Sequence, residues 1–357
     1  MRAAELLLAA ASVAVVCGVL EAGLRVRDWR EARGSLERAV SQPVRLRPDG
    51  QADLGGIIRL AQERRRIYEL IPDTKVVLHN WTGGGLHTPL ELNSEGFRDR
   101  DHAKPKPPGV RRIVGVGDSF MFGWGVATGK DYLSVLEDRL AAEAPGERWE
   151  VLNMAVPGYN TAMEVETLKA RGLAYEPDVV VVGFCWNDID LPNFVRSPTE
   201  YLSLRRSFLV DFVRGRLART DFVTAPRGEQ DGVFENDPTR VPEFYRDLVG
   251  WDAFGAALDE LAALARAHRF AVLFVVFEPD GVGGPLRDGR RRRAVAEAAR
   301  RGFTVVDVGA VQAEWMRRRN IGNFYKSTLT LSGFDPHPSV LSHWLAADLL
   351  LREIRRR

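Results

Sequence analysis

Ile113-Val114-Gly115-Val116-Gly117-Asp118-Ser119-Phe120 is the stretch on which the reading turns. Ile113, Val114 and Val116 read as the end of a buried strand. Gly117-Asp118-Ser119 then forces a sharp turn, and a helical pattern begins at Thr128. A serine at the carboxyl end of a first strand sits where open α/β sheets place their ligand crevice. Its hydroxyl is a weak nucleophile unless a base activates it. The remaining sequence is therefore read for that base and for donors to an oxyanion.

Downstream of this stretch, strand and helix patterns alternate. Strands are expected over 112–117, 149–154, 179–184, 271–277 and 303–308. Helices are expected over 128–143, with Tyr132, Leu133, Leu136 and Leu140 on one face, and over 161–173, 252–268, 290–301 and 340–354. The run 179–184 is continuously apolar, as suits a parallel strand buried on both faces. The alternation predicts an α/β domain, 111–357, with a five-stranded parallel sheet covered on both sides. Residues 190–250 break the rhythm, with helical patterns at 199–216 and 241–249 around a polar segment at 227–239. That is too long for an ordinary connection and reads as a lid-like insertion over the crevice.

The chain has 357 residues and a formal net charge of +2, so bulk charge gives no reason to expect an acidic partner. Arginine runs at 64–66, 290–293, 317–319 and 355–357 read as solvated helix faces and ends, and no nucleic-acid partner is expected. Cys17 and Cys185 lie in different kinds of segment, so no disulfide is expected. No Cys/His cluster has metal-ligand spacing, and neither a metal nor a cofactor is expected.

Ala3 to Leu24 is apolar apart from Glu5, Ser12 and Glu21, about the length that spans a bilayer as a helix. Arg2 precedes it and Arg25, Arg27 and Arg30 follow. An uncleaved signal anchor over 1–24 is favoured over a cleaved signal peptide and over a buried soluble helix. The expected location is a single-pass membrane protein with its catalytic domain outside the cytoplasm. Residues 25–110 read as a juxtamembrane helix and an irregular lead-in. Leu60, Ile67 and Leu70 would give the second part of that helix an apolar stripe. Asn80-Trp81-Thr82 has the form of a glycosylation sequon.

Four stretches end predicted strands or fall on the same face of the sheet: Gly117-Asp118-Ser119, Asn153 to Asn160, Trp186-Asn187-Asp188, and Phe334-Asp335-Pro336-His337-Pro338-Ser339. Ser119 would attack an acyl carbonyl. His337 would take its proton and return it to the leaving alcohol. Asp335 would hold the imidazole tautomer and stabilise the imidazolium. The backbone N–H groups of Ser119 and Gly158 and the side-chain amide of Asn187 would hold the oxyanion, each such donor stabilising the transition state by about 3–4 kcal/mol. Asp118 and Asp188 would support the loops.

Taken singly, these residues have plainer readings. Gly-Asp-Ser is a common turn, Asn-Asp caps helices, and Ser339 could simply start the last helix. His343 reads as a packing residue, and His79, His87 and His102 as exposed loop residues. His268 suits a helix end. Cys185 reads as a small core residue. Trp124, Trp186 and Phe122 line either the pocket or the core.

The four stretches, in this order, resemble the SGNH (GDSL-type) hydrolase superfamily over roughly 111–355. Its serine falls on Ser119, its glycine on Gly158, its asparagine on Asn187, and its acid and base on Asp335 and His337. The resemblance implies a three-layer flavodoxin-like fold and acyl-ester chemistry without metal. Asn93 to Arg98 is similar to the lead-in of membrane-anchored bacterial members. Cys185 stands where the third block has glycine. Asp-x-His replaces the commoner Asp-x-x-His, a spacing shared with alginate-type O-acetyltransferases of the superfamily. The expectation is a serine esterase for short acyl or acetyl esters. The alternatives are an O-acetyltransferase or deacetylase for a cell-surface polysaccharide, and an inactive carbohydrate-binding relative.

Overall fold

The computed structural model describes residues 2–40, 43–79, 87–192, 194–195, 197, 202, 204, 207–217, 238–333 and 335–357. Helix α1 (Arg2–Ala32) opens the chain; within it, Ala4–Arg30 is long and apolar enough to cross a membrane. Two antiparallel pairs follow. The first joins β1 (Ile58–Leu60) to β2 (Tyr68–Leu70), and the second joins β3 (Lys75–Leu78) to β4 (Thr88–Glu91).

The main sheet has five parallel strands, β5 (Val110–Val116), β6 (Arg148–Asn153), β7 (Val179–Phe184), β8 (Ala271–Val276) and β9 (Thr304–Asp307). They lie in the spatial order β6-β5-β7-β8-β9. The first strand is thus interior, second from one edge, and the order reverses between β5 and β7, where doubly wound sheets bind ligands. Residues 179–184 form a strand with every position buried, as their unbroken apolar character requires.

Helices link the strands: α2 (Ser119–Phe122), α3 (Tyr132–Glu143), α4 (Thr161–Ala170), α5 (Phe208–Leu217), α6 (Gly250–His268), α7 (Gly284–Arg300), α8 (Val308–Arg318) and α9 (Val340–Arg355). α9 packs on α3 and α8, and α6 packs on α4 and α7, giving the two outer layers. The expected face of α3 is buried at Tyr132, Leu133, Leu136 and Leu140. A short pair, β10 (Thr330–Ser332) with β11 (Asp335–Pro338), precedes α9. These elements make the three-layer α/β fold with a five-stranded parallel sheet that the sequence led us to expect.

Four expectations are corrected. Leu60, Ile67 and Leu70 do not form a helical stripe. Ile58 and Leu70 pair across β1 and β2, and Ile67 turns the chain with φ of 57°, so strand pairing, not a helical period, organises this segment. The apolar residues of this lead-in, Ile57, Tyr68, Leu90 and Phe97 among them, belong to the same core as the sheet. The arginine runs are not uniformly solvated. Arg66 is buried against Glu63 and Glu69, and Arg290 against Asp190. His102 is not exposed: its side chain is buried near Asp99 and Glu150. In the 241–249 region a 3-10 helix (Glu243–Leu248) replaces the expected α-helix. The Asn80-Trp81-Thr82 triplet, Phe334 and most of the polar segment at 227–239 lie outside the described residues.

Candidate active site

β5 ends at Val116, and Asp118 caps α2 by accepting a hydrogen bond from the Phe120 N–H at 2.8 Å. This turn delivers Ser119 at the carboxyl end of β5. Gly117 allows it, because a Cβ there would sit 2.7 Å from the Cβ of Met121.

Asp335 and His337 are two apart in β11, so both project from one face of an extended strand. Asp335 Oδ1 is 2.5 Å from His337 Nδ1 and also accepts the His337 backbone N–H at 3.1 Å. A carboxylate at this spacing grips both the ring and the backbone of the histidine. Because a carboxylate only accepts, Nδ1 carries the proton and Nε2 presents its lone pair. Nε2 stands 2.9 Å from Ser119 Oγ. The alternative acceptor for that hydroxyl, Asp118 Oδ2, is at 3.5 Å, so the imidazole holds it. Asp335 is buried and His337 is partly open, an acid shielded from water behind a base that faces the cleft. Phe120 and Trp124 flank the imidazole with ring centroids at 5.4 and 6.2 Å.

Gly158 has φ of +83°, a conformation open to glycine. Asn187 lies in the turn after β7, near the Asp118 carboxylate, whose charge its side chain helps to stabilise. Asp188 accepts from Thr161 Oγ1 at 2.8 Å and from the Cys185 N–H at 3.2 Å, tying that turn to the start of α4. Cys185 is buried. Of the three aromatic residues with two readings, Phe122 is core and Trp186 borders a pocket. This pocket is small and is walled by Phe120, Phe277 and Arg287 as well.

Several supporting residues had no functional reading in the sequence. The Tyr68 hydroxyl, fully buried, donates to the carbonyl of Pro157 at 2.7 Å and fills the space that a Cβ on Gly158 would need, 2.8 Å away. Tyr159 in turn donates its hydroxyl to the Tyr68 carbonyl. Arg98 donates to the carbonyls of Phe122, Gly123 and Val126 at 3.0, 2.5 and 2.7 Å, closing the end of α2. Asn160 caps α4 through Met163 N–H and sends its amide to the carbonyls of Asp190 and Leu248 at 3.0 and 2.8 Å. Arg290 donates to the Trp186 carbonyl at 2.8 Å and to Asp190 at 3.1 Å. Only their burial reveals these roles; a tyrosine or arginine in an irregular segment carries no motif.

Behind the serine lies a buried set of carboxyls. Burial raises the Asp118, Asp188 and Glu164 pKa values above the usual carboxylate range, and their mutual repulsion adds to the rise at Asp188 and Glu164. Among the described residues, neither Glu164 oxygen and neither His343 ring nitrogen has a hydrogen-bond partner. Burial lowers the His343 pKa to about 3. His343 stacks on Tyr132 at 5.8 Å, the packing role expected of it.

The family model described as GDSL-like lipase/acylhydrolase matches residues 116–345. No curated protein matches this sequence. Among solved structures, TesA is similar at 16% identity over 69% of this chain and 99% of its own, with a TM-score of 0.42. The acetylxylan esterase Axe2 of Geobacillus stearothermophilus, as a catalytic mutant, is similar at 19% identity over 68% and 94%, with a TM-score of 0.43. The acetyl xylan esterase AlAXEase is similar at 12% identity over 68% and 99%, with a TM-score of 0.44.

Proposed function

The chain belongs to the GDSL-like lipase/acylhydrolase family, and from that premise we propose that it is a serine esterase cleaving short acyl or acetyl esters through an acyl-enzyme. One observation carries this reading: the unbroken line from Ser119 Oγ to His337 Nε2 at 2.9 Å and from His337 Nδ1 to Asp335 Oδ1 at 2.5 Å.

In this mechanism Ser119 Oγ bonds to the ester carbonyl carbon while its proton passes to His337 Nε2. Asp335 stabilises the imidazolium so formed. The carbonyl oxygen becomes an oxyanion held by the Ser119 and Gly158 N–H groups and the Asn187 amide. The tetrahedral intermediate collapses, and the alkoxide leaves with the proton from His337. Water, deprotonated by His337, then cleaves the acyl-enzyme and restores the serine. Asp118 orients Asn187, and Asp188 holds the turn that carries it.

A second reading, transfer of an acetyl group to or from a cell-surface polysaccharide, uses the same residues. It is favoured by the Asp-x-His spacing of Asp335 and His337, and by the insertion at 190–250, read as a lid. Water exclusion under such a lid would favour a sugar hydroxyl as acceptor. The chain would then divide into an anchor at 1–24, a lead-in at 25–110 and the hydrolase domain at 111–357, held at the outer face of a membrane. An inactive carbohydrate-binding relative is disfavoured by the hydrogen-bonded serine.

The test is labelling with a fluorophosphonate followed by peptide mapping, together with turnover of p-nitrophenyl acetate. Label is expected on Ser119, and Ser119→Ala is expected to lose roughly four to six orders of magnitude in kcat with the fold retained. Equal turnover by Ser119→Ala and the parent would overturn the assignment. Acetylation of an added glycan would select the transferase reading.

A further inference from the structure

The start of α5 and the end of the apolar helix α1 are joined in a way that the ester chemistry does not require. Glu21 lies near the end of the apolar stretch. Its carboxylate accepts hydrogen bonds from the Phe208 and Leu209 N–H groups at 3.0 and 2.7 Å and from Ser207 Oγ at 2.9 Å. It therefore caps α5, and Arg25 completes the joint with an ion pair to Glu21 at 2.7 Å and its guanidinium 5.0 Å from the Phe208 ring centroid. A carboxylate inside an apolar span is costly and has a specific partner when it occurs. Here the partner is the first turn of a helix in the insertion.

Position and surface chemistry then agree. A rise of 1.5 Å per residue puts Glu21 about 26 Å along the axis from Ala4, close to the thickness of a bilayer's hydrocarbon core. The α1–α5 joint thus falls at the level of the headgroups. Close to the joint along the chain, Leu202 and Leu204 stand exposed at 83% and 94%, and Val210, Phe212 and Val213 of α5 are exposed as well. Arg25, Arg27 and Arg30 lie at and just beyond the same level of α1. Exposed leucine and phenylalanine beside a cationic rim is the composition of a segment that lies in a membrane interface. The same insertion is tied to the catalytic loops, since Asn160 bonds the carbonyls of Asp190 and Leu248 at its two ends.

We propose that Leu202, Leu204 and residues 207–213 lie in the interfacial layer of the membrane that α1 enters, so that this part of the insertion rests on the lipid surface and the catalytic cleft is held beside it. This rests on the reading of α1 as an anchor. The occupant of the exposed apolar patch is the bilayer itself.

The test uses the full chain with Cys17→Ser, labelled with an environment-sensitive fluorophore at Leu204→Cys, Phe212→Cys or, as a control on exposed α9, Arg352→Cys. The protein is reconstituted in phosphatidylcholine–phosphatidylglycerol vesicles with and without a phospholipid bearing a nitroxide near its headgroup. Labels at 204 and 212 are expected to be quenched by about half or more, with 352 nearly unaffected. Val210→Asp with Val213→Asp is expected to reduce quenching at 212 about twofold or more while leaving p-nitrophenyl acetate turnover in detergent unchanged. Protein that floats with vesicles and resists alkaline extraction, yet has 204 and 212 no more quenched than 352, overturns the interfacial placement and leaves the anchor standing. Protein that fails to float overturns the anchor and the placement with it.

Discussion

Tyr68 acts through another residue's backbone. Its hydroxyl holds the Pro157 carbonyl at 2.7 Å and so fixes the peptide plane leading into Gly158. Tyr68→Phe is expected to lower kcat about five- to tenfold, the worth of one net hydrogen bond, with KM little changed. Steady-state kinetics on p-nitrophenyl acetate would check this, and an equal loss in KM would instead indicate a displaced pocket. Glu164 and His343 set the pH limits of the fold in opposite directions. The His343 pKa is lowered to about 3 by burial, with the Arg98 and His337 charges adding. The stability it contributes is full above the ordinary histidine pKa near 6.5 and is lost as pH falls toward 3, by up to about 1.4 kcal/mol per pH unit. The Glu164 pKa is raised by burial and by Asp188 and Asp118. Its contribution is full below the ordinary glutamate value and is lost as pH rises toward the folded-state value. Urea unfolding across pH is expected to give a flatter acid limb for His343→Leu and a flatter alkaline limb for Glu164→Gln. Ser119 was legible because a polar turn that ends an apolar run stands out, and Asp335 and His337 were legible through the order of the four stretches, which resembles that of the superfamily. Tyr68 and Glu164 were not, because their meaning comes from what they are buried against.

Among elements, the five strands and most helices were legible from apolar periodicity. The bounds of β7 were read to the residue, since a run of valines between polar flanks has one reading. Elements held by caps and long-range contacts were missed. α8 begins directly at the end of β9, where Asp307 accepts the Ala310 N–H at 2.9 Å, and no turn residues separate the two. The pair β10–β11 is only three and four residues long and had no strand reading in the sequence, although this pairing is what puts Asp335 and His337 on one face. Asn160 joins three elements by capping α4 and bonding both ends of the insertion. Asn160→Ala is expected to cost about 2–4 kcal/mol, the sum of a lost cap and orphaned buried carbonyls. Denaturant unfolding would measure that loss, and hydrogen exchange is expected to rise in the peptides around 188–191 and 248–250 before the sheet is affected.

At the scale of the molecule, the catalytic constellation draws on both ends of the core. The family match begins at residue 116, yet Tyr68 and Arg98, upstream of it, hold the loops of Gly158 and Ser119. A lead-in looks like a tether in sequence because its strands are short and its arginines numerous; packing makes it a wall of the same core. A chain starting at Arg111 is therefore expected to be unstable or inactive, and one starting at Gln51 to fold and turn over p-nitrophenyl acetate, as thermal melts and kinetics would show.

Under the proposed reading of α1 as an anchor and of the sheet as the catalytic core, the position of that wall between them gives proteolysis two different meanings. Cleavage between α1 and Ala52 would shed a diffusible protein that keeps Tyr68 and Arg98. Cleavage in the stretch Lys104 to Pro108, once the pieces part, would leave both residues behind with the anchor and silence the part released. On that reading a released form and an off-switch are separated by about fifty residues of the same connecting segment.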